Sequence, residues 1–62
     1  KPCEGIVVEN APLGVRSGVA AGCFTIAINS GPLPDSDLLC EKPNLLYQKL
    51  TELLDDWDKI AG

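Results

Sequence analysis

Sixty-two residues, 45% of them apolar and only 5% aromatic, allow one small unit with a thin core. The formal net charge of −4 lies entirely beyond Gly31, where three lysines face seven acids, a balance that disfavours nucleic acid or an anionic membrane as partner. No apolar run is long enough to cross a bilayer and no signal-peptide pattern opens the chain, so a cytoplasmic protein is expected.

Ile6-Val7-Val8 is β-branched throughout and too short for a helix. It reads as a strand buried on both faces, as in a parallel sheet, and its carboxyl end delivers Glu9 and Asn10. In open α/β sheets ligands gather outside the carboxyl ends of the strands, because loops and helix N-termini converge there. Pro12 suits the first turn of a following helix, with Asn10 or Ala11 as its cap, and Gly22 suits the left-handed position that ends it.

Inside that helix each glycine costs about 1 kcal/mol relative to alanine. Gly14 and Gly18, with Gly22, are spaced four apart and form one ridge without side chains, which lets the helix lie close against its sheet. Arg16 and Ser17 interrupt the ridge, so a membrane-dimer motif does not fit. Neither GxGxxG nor GxxxxGK[ST] occurs, so the ridge is not a known phosphate loop.

Cys23 to Ile28 is a second apolar, partly β-branched run and reads as a strand ended by the turn formers Asn29 to Pro34. A short helix is expected over Asp35–Cys40, stopped by Pro43 downstream. Leu45-Leu46-Tyr47 reads as a brief third strand. From Lys49 onward Leu50, Leu53, Leu54, Trp57, Ile60 and Ala61 recur on one face of a single helix, and the acids opposite them read as a solvated face. Cys3, Cys23 and Cys40 are odd in number, form no CxxC and have no histidine beside them, so three reduced thiols are expected rather than a disulfide framework or a zinc site. The order is β-α-β-α-β-α, an α/β fold with a Rossmann-like parallel sheet in three layers.

The run VVENAPLGVRSGVAAGCFTIAINSG resembles the fourth motif region of the haloacid dehalogenase superfamily, in which an apolar strand ends in two acids and leads through a small-residue turn and a glycine into a helix closing in AAG. The subgroup it resembles most is the β-phosphoglucomutase-like phosphatases and phosphosugar mutases. The resemblance implies a magnesium-dependent phosphoryl-transfer enzyme acting on a small phosphorylated metabolite, a phosphosugar, through an aspartyl-phosphate formed on another strand. It places Glu9 and Asn10 at the two acidic metal-side positions, binding Mg²⁺, with Pro12, Gly14 and Gly18 as structural residues around them. Asn10 departs from the usual Asp and takes one negative charge from the site; metal ligand and helix cap both remain open for it.

The DxDGT-type nucleophile motif, the phosphate-binding Ser/Thr motif, the phosphate-pairing lysine motif and the cap domain are not found in residues 1–62. Lys1-Pro2 looks like a loop before the first strand. The chain therefore resembles a C-terminal fragment of a core domain, expected to be inactive alone. Its first strand then lacks a neighbour on one side and should pair with the remainder of the parent chain or with a second copy. The competing expectation is a non-catalytic, flavodoxin-like binding or regulatory module in which Glu9-Asn10 only caps a helix. An acidic amphipathic interaction element around Leu50 to Ile60 is weaker, because core packing accounts for that face.

Overall fold

A computed structural model describes residues 4–62; Lys1, Pro2 and Cys3, and with them the loop expected at Lys1-Pro2, lie outside the described residues. The apolar β-branched run forms β1 (Ile6–Glu9), and the glycine-spaced segment forms α1 (Pro12–Ala20). These are followed by β2 (Phe24–Ile28), α2 (Asp35–Leu39), β3 (Leu45–Tyr47), α3 (Leu50–Asp55) and α4 (Trp57–Ala61). The strands make one parallel sheet in the order β1-β2-β3, with Val8 opposite Ile26 and Ile26 opposite Leu45.

The central strand is covered on both faces, which is why its apolar run shows no alternation. On one face Ala27 packs with Val15 of α1 and Leu38 of α2, joined by Val19 and Leu46. On the other, Ile26 and Ile28 meet Leu53 of α3, joined by Leu45, Tyr47 and Ile60 of α4. The expected three-layer α/β arrangement is present. The expectation that Ile6-Val7-Val8 is buried on both faces is corrected: Ile6, Val8 and Phe24 on the α3 face are 39%, 41% and 40% exposed, because the helices covering that face stop short of β1, which has no strand on its outer side among the described residues.

The sheet approaches α1 closely. A side chain at Gly18 would place its Cβ 2.7 Å from Thr25 Oγ1 and 3.1 Å from Val7 Cγ1, so the helix can lie on β1 and β2 only where that position is bare. Gly22 has φ 77°. Its N–H donates to the Val19 carbonyl and that of Cys23 to the Gly18 carbonyl, both at 3.0 Å, the paired bonds by which a left-handed residue closes a helix.

The expected single C-terminal helix is two. Asp56 takes φ −96° and ψ 0°, leaving the helical region between α3 and α4, and its carboxylate accepts the Tyr47 hydroxyl proton at 3.0 Å. The carboxylate is thus held by β3 beneath, at a residue type that competes with helix backbone for hydrogen bonds. The break also divides the apolar stripe. Leu53 and Ile60 reach the sheet, while Leu50 is 54% and Leu54 60% exposed, because a three-stranded sheet is too narrow to receive the whole face.

One expectation about the cysteines is corrected and one is met. Cys23 is buried and disulfide-bonded, whereas Cys40 is free and exposed at the end of α2, its S–H directed to the Asp37 carbonyl at 3.3 Å. Disulfides require the two Cα atoms to come within about 7 Å, and that proximity is made by the fold rather than by spacing along the chain.

Candidate functional site

Parallel strands ending in register bring three loop entries to one edge of the sheet. Glu9 and Asn10 follow β1, Asn29 and Ser30 follow β2, and Gln48 follows β3. Val8, Glu9, Asn10, Ile28, Ser30 and Leu50 line a cleft there of about 290 Å³. A larger hollow of about 510 Å³ lies at the opposite, amino-terminal edge, along Gly5, Ile6, Phe24 and Asn44. The smaller cleft is the better candidate, because crossover connections direct helix N-termini and loops to the carboxyl edge.

Glu9 is half-buried and Asn10 exposed. Glu9 shares the α1-facing side of β1 with Val7, and its carboxyl group folds back over the first turn of α1, where it occupies the space that a side chain at Gly14 would need. Pro12 takes the first helical position as expected, and Ala11 is the N-cap, with φ −134° and ψ 147°. Among the described residues no side-chain hydrogen bond caps α1. Asn10 therefore leaves its amide group free of the capping role, and among the described residues no cationic side chain pairs with Glu9.

This donor set suits a hard divalent cation. A carboxylate and an amide carbonyl are both oxygen ligands, and Mg²⁺ characteristically takes one or two carboxylates while keeping several waters. Among the described residues no group of three or more His, Cys, Asp or Glu gathers at metal-binding distance. Glu9 and Asn10 could thus supply part of a coordination sphere, with the rest coming from water, substrate or other protein groups.

Beside this pair lies a network absent from the sequence reading. Asp35 at the start of α2 accepts from Asn29 Nδ2 at 2.6 Å and from Gln48 Nε2 at 3.0 and 3.1 Å, and Asn29 Nδ2 also donates to the Leu33 carbonyl at 2.8 Å. One carboxylate thereby ties the residues leaving β2 and β3 and closes the loop that carries Ser30 into the cleft. The usable signal was positional: Asn29 and Gln48 are each the first residue after a strand, and parallel topology places such residues side by side.

The Asn29 amide, and after it that of Gln48, holds the Asp35 carboxyl below the ordinary value of 3.8. A carboxylate with a folded pKa below its unfolded one adds stability above the unfolded value and loses it as pH falls through the folded one. Asp35→Asn should therefore lower the melting temperature at neutral pH, with the deficit shrinking as the pH falls through and below the ordinary carboxylate value of 3.8. A deficit independent of pH in melts of the full-length protein would assign the loss to packing instead.

On the far side of α1 a fork of charge fixes the helix to the α2–β3 loop. Arg16 donates through Nε and Nη2 to the two Glu41 carboxyl oxygens at 3.0 and 2.8 Å. The guanidinium holds the Glu41 carboxyl below its usual range. Since Arg16 remains 64% exposed, this pair orients α1 more than it stabilises the fold.

No protein-family model matches the chain. Over 29 residues, 47% of its length, the chain is 62% identical to hexitol phosphatase A of Escherichia coli (strain K12), and it covers 13% of that protein. The solved structure described as "Putative beta-phosphoglucomutase from Bacteroides vulgatus" aligns with 94% of this chain at a TM-score of 0.87 and 55% identity, and the chain covers 24% of it. The chain thus spans about a quarter or less of the relatives it matches. With identity and fold agreeing over nearly all of its residues, it is a Rossmann-like α/β segment similar to part of a β-phosphoglucomutase-like structure and of a hexitol phosphatase, both members of the haloacid dehalogenase superfamily.

Proposed function

We propose that the full-length protein is a magnesium-dependent phosphoryl-transfer enzyme acting on a small phosphorylated metabolite, a phosphosugar phosphatase or β-phosphoglucomutase, and that residues 1–62 are the C-terminal part of its core. The observation that carries this reading is Glu9, a half-buried carboxylate at the carboxyl end of a parallel strand with no cationic partner among the described residues. A bound divalent cation would offset the repulsion between an attacking carboxylate and an anionic phosphate. Glu9 and Asn10 would hold it through oxygen, and the Asp35 network would keep Ser30 and the β2–α2 loop at the cleft rim.

The binding-module alternative makes Glu9-Asn10 a helix cap. The bare N-terminus of α1, which takes no side-chain cap, favours the metal-side reading. The test is turnover of a panel of phosphosugars by the full-length protein, with Mg²⁺ and after chelation. Release of phosphate or isomerisation that stops on chelation is expected; no turnover, or turnover indifferent to chelation, would overturn the reading.

The isolated segment should behave differently. Its β1 backbone edge and the exposed Ile6, Val8 and Phe24 offer a template for another strand. Sedimentation of purified residues 1–62 should give dimers or larger species with no phosphatase activity. A monodisperse monomer with a cooperative thermal transition would contradict this.

A further inference from the structure

Gly14 and Gly18 lie one turn apart on the same helix, yet a side chain would meet different neighbours at each. At Gly18 the obstacles are Thr25 and Val7, fixed in the sheet. Thr25 is fully buried and its hydroxyl donates to the Cys23 carbonyl at 3.1 Å, so it has little freedom to yield. At Gly14 the obstacle is Glu9 alone among the nearest atoms: an added Cβ would lie 2.5 Å from its Cδ and 2.9 Å from its Cγ, with Oε1 also in contact. These are the end atoms of a flexible side chain, which can swing away at small cost.

We infer that Gly14 is a positioning residue whose bareness sets where the Glu9 carboxylate stands. The inference rests on the proposed role of Glu9 in holding a divalent cation. Alanine at position 14 removes a glycine from a helix, which favours the folded chain, while it pushes the carboxyl group off the first turn of α1. Stability and metal affinity should therefore move apart. At Gly18 alanine strikes the fixed sheet atoms of Thr25 and Val7 rather than Glu9, so stability falls while affinity stays.

The experiment is magnesium titration calorimetry on the full-length protein, with thermal melts of the same samples. Gly14→Ala should raise the Mg²⁺ Kd about 10-fold, the scale on which groups that orient metal ligands act, with an equal or higher melting temperature. Gly18→Ala should lower the melting temperature and leave Kd unchanged. In a Glu9→Ala background Gly14→Ala should have no further effect on Kd, because no carboxylate remains to be displaced. An unchanged Kd in Gly14→Ala, when Glu9→Ala alone raises it, would overturn the positioning role and spare the reading of Glu9. A melting temperature lowered as far as in Gly18→Ala would also overturn it. If Glu9→Ala leaves Kd unchanged, the metal-side reading itself falls, and the positioning role with it.

Discussion

Glu9→Ala in the full-length protein should lower magnesium-dependent turnover by roughly 10²-fold or more, the rate equivalent of losing a few kcal/mol of charge stabilisation. The estimate follows from the position of the side chain. Glu9 ends β1 beside the cleft, and among the described residues no Arg or Lys competes for it. Its removal takes the only negative charge from the residues lining that cleft. The melting temperature should change little, since no ion pair is broken. Half-maximal activation should shift to higher Mg²⁺, and Asn10→Asp should shift it the other way by adding the charge that Asn10 lacks. Rates and magnesium dependence within about twofold of wild type would remove Glu9 from the site.

The parts of this site that were legible in the sequence were those fixed by local chemistry. Ile6-Val7-Val8 could be little other than a strand, so its last residue had to emerge at a ligand-bearing edge; its burial was not legible, because β1 is the outer strand here and Ile6 and Val8 stay exposed. Pro12, Gly18 and Gly22 each announced a backbone demand, and each sits where that demand arises: the first helical turn, the contact with Thr25 and Val7, and the left-handed close at φ 77°. The capping residue was legible only as a choice between Asn10 and Ala11, because a cap depends on where a side chain turns. What stayed hidden depends on contacts between distant segments. Asp35 looked like a helix start until β2 and β3 brought Asn29 and Gln48 to it. The run from Lys49 has uninterrupted helical periodicity, yet Tyr47 on β3 holds the Asp56 carboxylate where the helix breaks. Periodicity records which residues are apolar; it does not record the width of the sheet meant to receive them, which is why Leu50 and Leu54 remain outside. Cys23 entered a disulfide for the same reason, since chain spacing says nothing of proximity across a fold.

Ile26→Ala should be the most destabilising single core truncation, costing about 4 kcal/mol, within the range for emptying a fully buried large aliphatic site. Ile26 is 0% exposed at the centre of the middle strand, with Val8 and Leu45 as its register partners and Leu53 packed above it. Three of these four positions belong to parallel strands whose spacing is set by backbone hydrogen bonds, so the sheet cannot close on the void. Only α3 and the Ile60 side of α4 can settle inward, and they are tethered by Gln48 N–H donating to Glu52 Oε1 at 3.0 Å and by the Tyr47–Asp56 bond between the two helices. Urea denaturation of the full-length protein should show a lower midpoint at unchanged m, with Ile26→Val costing only about 1 kcal/mol. A loss below about 1 kcal/mol for the alanine variant would mean that the α3 face is loosely packed and that Leu53 is not held as described. The Mg²⁺ Kd should be unaffected under folding conditions, because Glu9 projects from the α1 face of the sheet whereas Ile26 projects from the α3 face. The stability lost at Ile26 and the metal affinity held at Glu9 thus arise on opposite sides of the same three strands.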